Sequence, residues 1–320
     1  MIKREHPKIK SGLHLRNKHR ERYDFNQLII TCPELAHFVH KNIYDDESID
    51  FFNPNSVKML NKALLKHFYN VINWNIPDGY LCPPIPGRAE YIHQVADILG
   101  NSNNGQIPLG SKIKCLDIGV GANCIYPIIG CSEYGWSFVG ADIDPVAIES
   151  AGKIIESNPF LTGEISLRLQ INYKDIFCGI IHGDEQFDLT VCNPPFHPSK
   201  AQAQSGTQRK LKNLNNKNTK KPILNFGGKN SELWCDGGEE LFASEMIRQS
   251  KQFAKNCFWF STLISKDSNL KKVNEALQKA EAVEVKTIPM IFGNKTSRIV
   301  VWTFLNHKQQ KEWKNKKWLL

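Results

Sequence analysis

An amide, two imino acids and an aromatic stand in a row at Asn193-Pro194-Pro195-Phe196, directly after the apolar run 187–192. A corner of this kind at the end of a buried strand suits a planar, weakly nucleophilic amine. The Asn193 carboxamide oxygen and the Pro194 carbonyl can each accept one N–H of such an amine, and Phe196 can stack on the ring that bears it. The proline pair, Pro194 and Pro195, stiffens the backbone so that the acceptors keep their places. The competing reading is a plain proline turn that closes a strand, and the tetrapeptide alone does not choose between them. A reaction partner for an amine elsewhere in the chain would.

Leu116-Asp117-Ile118-Gly119-Val120-Gly121-Ala122-Asn123 lies where a strand expected over 113–118 gives way to a helix around 124–131. Glycine lets the backbone turn sharply and approach a ligand closely. A dinucleotide fingerprint has a third glycine where Cys124 stands, and offers its turn to a pyrophosphate. Here the acid Asp117 precedes the glycines, which is wrong for a phosphate and right for an amine or a sulfonium. A second strand over 137–141 leads to Asp142, 21 residues beyond Gly121, a spacing that suits an acid gripping ribose hydroxyls. Beyond a third strand at 165–171, Asp175 can meet an adenine amino group. Adenosine joined to a charged amino acid without phosphate is S-adenosylmethionine, a methyl donor for an amine. Asp144, immediately before Pro145, reads as a helix N-cap and not as a ligand.

The elements that must hold these residues alternate. Further strands are expected at 187–192, 257–264, 283–292 and 298–305, the last two joined by a short turn as an antiparallel hairpin. Helices are expected from Asp144-Pro145, over 239–256 (Leu241, Met246, Ile247 and Phe253) and over 268–280. Upstream, Thr31-Cys32-Pro33-Glu34 reads as a capping box for a helix carrying Leu35, Phe38, Val39 and Ile43. A second helix starts near Asn55, 74–88 reads as irregular, a third helix carries Ile92, Val95, Ala96 and Leu99, and 100–111 reads as a loop. The pattern predicts an α/β fold with a doubly wound, mostly parallel seven-stranded sheet, an antiparallel edge hairpin and a small helical N-terminal region. The expected domains are 1–75, a basic tail and helical accessory region, and 76–320, the catalytic domain with a basic substrate loop at 199–238.

The 320 residues suffice for a catalytic domain plus an accessory segment. No secretory signal and no apolar run of membrane-spanning length is present, so no membrane partner is expected. Nine scattered cysteines without a C-x-x-C pair suggest neither disulfides nor a metal site, and point to a reduced, cytoplasmic protein. Residues 1–22 carry eight Lys or Arg against two Glu, 199–230 carry eight and no acid, and 306–320 carry five Lys against one Glu. The net charge of the whole chain is only +9, so the excess sits in two tails and one loop. Three such runs, one of them just after the Asn-Pro-Pro-Phe corner, point to a polyanion, and to nucleic acid ahead of a membrane surface.

With these motifs in place, the chain resembles the class I S-adenosylmethionine-dependent methyltransferases that modify exocyclic amines. Asn73-Trp74, Pro86-Gly87-Arg88-Ala89-Glu90-Tyr91-Ile92-His93, Ile118-Gly119-Val120-Gly121-Ala122-Asn123-Cys124-Ile125-Tyr126-Pro127, Asn193-Pro194-Pro195-Phe196-His197, Leu224-Asn225-Phe226-Gly227-Gly228 and Glu232-Leu233-Trp234-Cys235 narrow it further. Together they resemble the bacterial 23S ribosomal RNA adenine-N6 methyltransferases, relatives of the eukaryotic methyltransferase-like 16 proteins. The resemblance implies that Arg88 holds the cofactor carboxylate, with Gly119 and Asn123 at its amino-acid end and Asp142 on the ribose. It also implies that Asn193 and Pro194 hold the adenine N6 under Phe196, that the helices before residue 75 bind RNA, and that the partner is 23S rRNA or a large-subunit precursor. His197 reads as structural or substrate-contacting, ahead of a role as base. The Asn-Pro-Pro-aromatic corner also serves protein glutamine and DNA methylation, and a non-catalytic RNA-binding module is the reading from another class.

Overall fold

The computed structural model describes residues 9–199, 201–202, 230–292 and 295–318. Its short strands β1 (Val39–Lys41) and β2 (Glu47–Ile49) pair antiparallel. Seven longer strands form one sheet: β3 (Lys114–Ile118), β4 (Ser137–Asp142), β5 (Ile165–Leu169), β6 (Phe187–Cys192), β7 (Cys257–Ile264), β8 (Glu284–Phe292) and β9 (Lys295–Thr303). Their order across the sheet is β5-β4-β3-β6-β7-β9-β8, parallel from β5 to β7, with the β8–β9 hairpin antiparallel at one edge. The doubly wound sheet expected from sequence is therefore what forms. Every residue of β6 and β7 is buried, as in a parallel strand with helices on both faces.

On one face lie α1 (Phe25–Thr31), α2 (Pro54–Tyr69), α3 (Ile85–Ser102), α4 (Ile125–Tyr134) and α5 (Pro145–Glu156), whose apolar sides share one cluster with the sheet. On the other face lie α7 (Gly238–Ser250) and α8 (Leu270–Ala280), which follow the short α6 (Asn230–Leu233). Strand order reverses at β3, between β4 and β6. A parallel sheet binds its ligands at such a switch point, beyond the carboxyl ends of the strands. Asp117, Asp142 and Asn193 all stand at those ends.

Four local expectations differ from the structure. Thr31 caps nothing: it ends α1, where its Oγ1 donates to the Gln27 carbonyl, and the cap is Asp24, which accepts from Gln27 N. Pro33 opens only a 3-10 turn to Phe38. Val39 then enters β1, because the Asn42 side chain accepts from Tyr44 N and Asp46 N and folds the chain back into β2, leaving Ile43 91% exposed. Helix α3 begins at Ile85, inside the stretch read as irregular, and runs to Ser102. Pro86 is tolerated there because first-turn N–H groups have no helical acceptor.

The third correction concerns the C-terminal tail, which is α9 (His307–Lys317), opened by a reciprocal Asn306/Gln309 capping box. Leu241, expected on the inner face of α7, is 55% exposed. All nine cysteines are free, and seven of them are buried.

Candidate active site

The turn after β3 is built on left-handed backbone. Gly119 has φ +78° and Gly121 +64°, and Cys124, in the slot of a third glycine, also adopts φ +53°. Cys124 thus meets the backbone demand without being glycine, at a cost of about 1–2 kcal/mol. The turn is pinned from β4, since Gly119 N donates to Ala141 O at 2.8 Å and Gly121 N to Asp142 Oδ2 at 2.9 Å. Asp142 Oδ1 accepts from Asp144 N. Burial raises the Asp142 pKa, opposed by these backbone donors. Asp144 is the cap of α5, accepting from Val146 N, and its other oxygen accepts from the Tyr80 hydroxyl at 2.7 Å.

An open cleft covers this turn. Arg88, Gly119, Gly121, Asn123, Asp142, Asp175, Asn193, Pro194 and Pro195 all line it, so the structure brings most of the expected set together. Two residues stand apart. Asp117 lies out of the lining, 1% exposed, and neither of its oxygens has a hydrogen-bond partner among the described residues. Phe196 is half-buried beside the cleft, packed on the main apolar cluster. Asn123 is also a brace: its Oδ1 accepts from Ile125 N and its carbonyl from Trp74 Nε1. Asp175 Oδ2 accepts from the Asn172 amide.

Sequence reasoning gave no role to several lining residues. Tyr80 comes from the stretch read as irregular. Tyr126 accepts from Arg88 Nη1 at 2.9 Å, and Glu232 Oε2 accepts from Leu81 N at 2.9 Å. Tyr126, Glu232 and Trp234 belong to motifs that carry the family resemblance, which is the signal the sequence offers for them. His197 is tied through its backbone: its N–H donates to Leu233 O at 3.0 Å, and its carbonyl accepts from Cys235 N at 3.1 Å. Residues 233–235 are thereby held against His197, four residues beyond Asn193. Residues 224–228 of the quoted motifs lie outside the described residues.

A seven-stranded sheet of this order, with an acidic glycine turn and an Asn-Pro-Pro corner at its switch point, defines a class I S-adenosylmethionine-dependent methyltransferase. The chain belongs to the RNA methyltransferase family, whose pattern it matches over residues 7–306. It is 59% identical over 316 residues to the ribosomal RNA large subunit methyltransferase F of Cytophaga hutchinsonii, covering 99% of this chain and 98% of that one. It is 54% identical to the protein of the same name from Photobacterium profundum, over 97% and 96% of the two chains. Among solved structures it resembles the human Mettl16 catalytic domain in complex with the MAT2A 3′UTR hairpin 1, with TM-score 0.77, 26% identity and coverage of 92% and 96%. The N-terminal domain of human METTL16 in complex with SAH gives TM-score 0.72, 25% identity and coverage of 92% and 99%.

The chain is thus a methyltransferase with S-adenosylmethionine as its methyl donor, and its own residues fit that donor. Asp117 is a buried carboxyl behind the turn with no hydrogen-bond partner among the described residues, which suits a group carrying a cationic amino-acid end. Burial, and then the neighbouring Asp142, push its pKa well above the ordinary carboxylate value. A carboxyl so raised keeps a proton that the unfolded chain releases, so it costs stability as pH climbs past about 4. A cation nearby reverses this and expels the proton. Calorimetry of S-adenosylmethionine binding in two buffers of different ionisation enthalpy should therefore show release of up to about one proton. That release should vanish in Asp117→Asn, and equal release by both proteins would remove Asp117 from the cofactor site.

No described helix is long and apolar enough to cross a membrane.

Proposed function

We propose that the protein transfers a methyl group from S-adenosylmethionine to N6 of one adenine in 23S ribosomal RNA, in the cytoplasm. The observation that carries this reading is that Asn193 and Pro194 line the same cleft as the acidic glycine turn. Near-full-length identity to large-subunit methyltransferases supports ribosomal RNA as the substrate class.

The lone pair of adenine N6 is delocalised into the ring, so the free amine is a poor nucleophile. Asn193 Oδ1 and the Pro194 carbonyl each accept one N6–H, which favours a pyramidal nitrogen with its lone pair free on the side of the donor. Bound S-adenosylmethionine supplies a methyl group activated by its sulfonium. The chain contributes position and electrostatic support. After alkylation the nitrogen is cationic and sheds its proton to solvent, so no strong base has to be held near it.

Arg88 is assigned to the donor's carboxylate, with Gly119 and Asn123 beside it. Asp142 is assigned to the ribose, where its oxygens keep free lone pairs, and Asp175 to the adenine amine. Phe196 is assigned to stacking on the target base at the cleft's edge, next to Pro195. A base that reaches this corner must be unstacked, so the target adenine is single-stranded or flipped out.

Domain 1–75 is assigned to RNA contact, and so is the cationic loop at 199–238, anchored beside Asn193 by the His197–Trp234 bridge. Much of the charge in the N-terminal tail is already matched within the protein: Arg16 pairs with Asp97, Lys18 with Glu133 and Arg22 with Asp46.

The test is mass mapping of N6-methyladenine in 23S RNA from cells lacking the protein, with rescue by purified protein and donor. One lost and restored modification is the expected result. An unchanged 23S map, or methyl transfer to protein instead of RNA, would overturn the reading.

A further inference from the structure

Arg88 sits in the first turn of α3, where the helix dipole disfavours a cation and where no acidic residue compensates it. Its Nη1 makes two hydrogen bonds, to the Tyr126 hydroxyl at 2.9 Å and to Asn193 Oδ1 at 2.9 Å. The guanidinium also lies over the Tyr126 ring, 5.4 Å from its centroid, and that ring meets Tyr91 edge-on. The cation is thus held by Tyr126 and Asn193, and the second of these bonds ends on the amide assigned to the target amine.

A guanidinium only donates, so the atom of Asn193 that faces it must be the oxygen. No other hydrogen bond fixes this amide among the described residues. Without Arg88 the carboxamide could turn over and present N–H groups to an amine that itself offers N–H. With Arg88 in place one lone pair of Oδ1 is used, the amide is locked, and the second lone pair remains for N6.

The same helix holds the backbone of the corner. Tyr91, three residues on and therefore on the same helix face, accepts from Cys192 N at 3.3 Å and bonds to Ser261 Oγ at 2.9 Å. Ser261 Oγ donates to Thr190 O, so the Tyr91 hydroxyl is the donor to Ser261. One face of α3 therefore fixes the strand end through Tyr91 and the amide through Arg88. Its first turn is pinned in turn by Asn17, which donates to Pro86 O and to Glu90 Oε2.

We infer that Arg88 is a positioning residue for the Asn193 amide, holding its oxygen toward the target amine, in addition to any contact with the donor. The inference rests on the reading of Asn193 as acceptor for adenine N6. The guanidinium has donors left for a carboxylate, since both of these bonds use Nη1.

The test compares wild type, Arg88→Met, and Arg88→Met combined with Asn193→Asp, with donor affinity by calorimetry and single-turnover methylation of 23S RNA at saturating donor. Arg88→Met should lower the saturated rate about tenfold, the scale of one lost hydrogen bond. Because a carboxylate presents an oxygen whichever way it turns, adding Asn193→Asp should recover several-fold of that loss. A role confined to the donor's carboxylate predicts instead weaker donor binding, an unchanged saturated rate and no rescue, and that outcome overturns the inference. Should Arg88→Met not fold, Tyr126→Phe, which frees the cation on one side, should lower the saturated rate with donor affinity unchanged, and no change in rate overturns the inference. Wild-type protein that binds donor but leaves 23S adenine unmethylated overturns the proposed function and this inference together, whereas a fully active Arg88→Met overturns the inference alone.

Discussion

Asn193→Ala should lower the rate of methyl transfer at saturating RNA and donor by about 10²- to 10³-fold, the scale for removing one preorganised polar group from a reacting centre. The alanine keeps the strand end, which is fixed through Cys192 and Tyr91, and keeps the Pro194 carbonyl. It removes one of the two acceptors that hold the amine pyramidal. The amine then has a single acceptor and is free to rotate back into conjugation with its ring, where its lone pair is unavailable. Donor binding should change far less than the rate, because the acidic turn is held from β4 and Arg88 keeps its bond to Tyr126. Rapid-quench single-turnover kinetics with labelled donor, beside calorimetry of donor binding, separate the two effects. A rate within threefold of wild type would remove Asn193 from the reaction.

What made this corner legible is that its chemistry and its backbone requirement fall on adjacent residues. Proline and glycine report backbone geometry directly, so Asn193-Pro194-Pro195 and Gly119-Val120-Gly121 could be placed at strand ends before any fold was known. Strands β6 and β7 were read to the residue because both their faces are buried and their apolar runs are unbroken. The site's cross-links were not legible. Arg88 to Asn193 spans 105 positions and Glu232 to Leu81 spans 151, and no local pattern carries such pairings. Cys124 shows the converse: it adopts a glycine conformation because the turn on one side and α4 on the other impose it, a demand its residue type does not announce. The region before residue 54 misled for a third reason. Its apolar residues fit helical spacing, but a side-chain turn at Asn42 competes with the helix and wins.

The C-terminal lysines belong to the charge that the sequence offers to a polyanion, and α9 puts two of them to another use. Asp188, at the start of β6, is fully buried and accepts four hydrogen bonds: Lys114 N at 2.8 Å, Trp313 Nε1 at 2.7 Å, Trp318 Nε1 at 2.8 Å and Lys317 Nζ at 2.9 Å. Lys314 Nζ donates to Ser102 O at 2.7 Å, at the end of α3. This clamp lies at the opposite end of β6 from Asn193, five residues or about 17 Å along the strand, so these two cations cannot reach phosphates that flank the target base. Asp188→Ala should cost about 3 kcal/mol, because it takes the acceptor from the buried Trp313 indole N–H and from three part-buried donors, the Lys317 ammonium among them. In a chain of this size that is a fall in melting temperature on the order of 10 °C. Asp188→Asn keeps one acceptor oxygen and should lose less, with methyl transfer at low temperature unchanged. Lys317→Ala should lower the melting temperature while leaving the salt dependence of RNA binding as it was, whereas loss of a phosphate contact would flatten that slope by about one unit. Scanning calorimetry together with RNA titrations at several salt concentrations distinguishes the outcomes. A normal melting temperature with a flatter slope would return α9 to the RNA-binding surface.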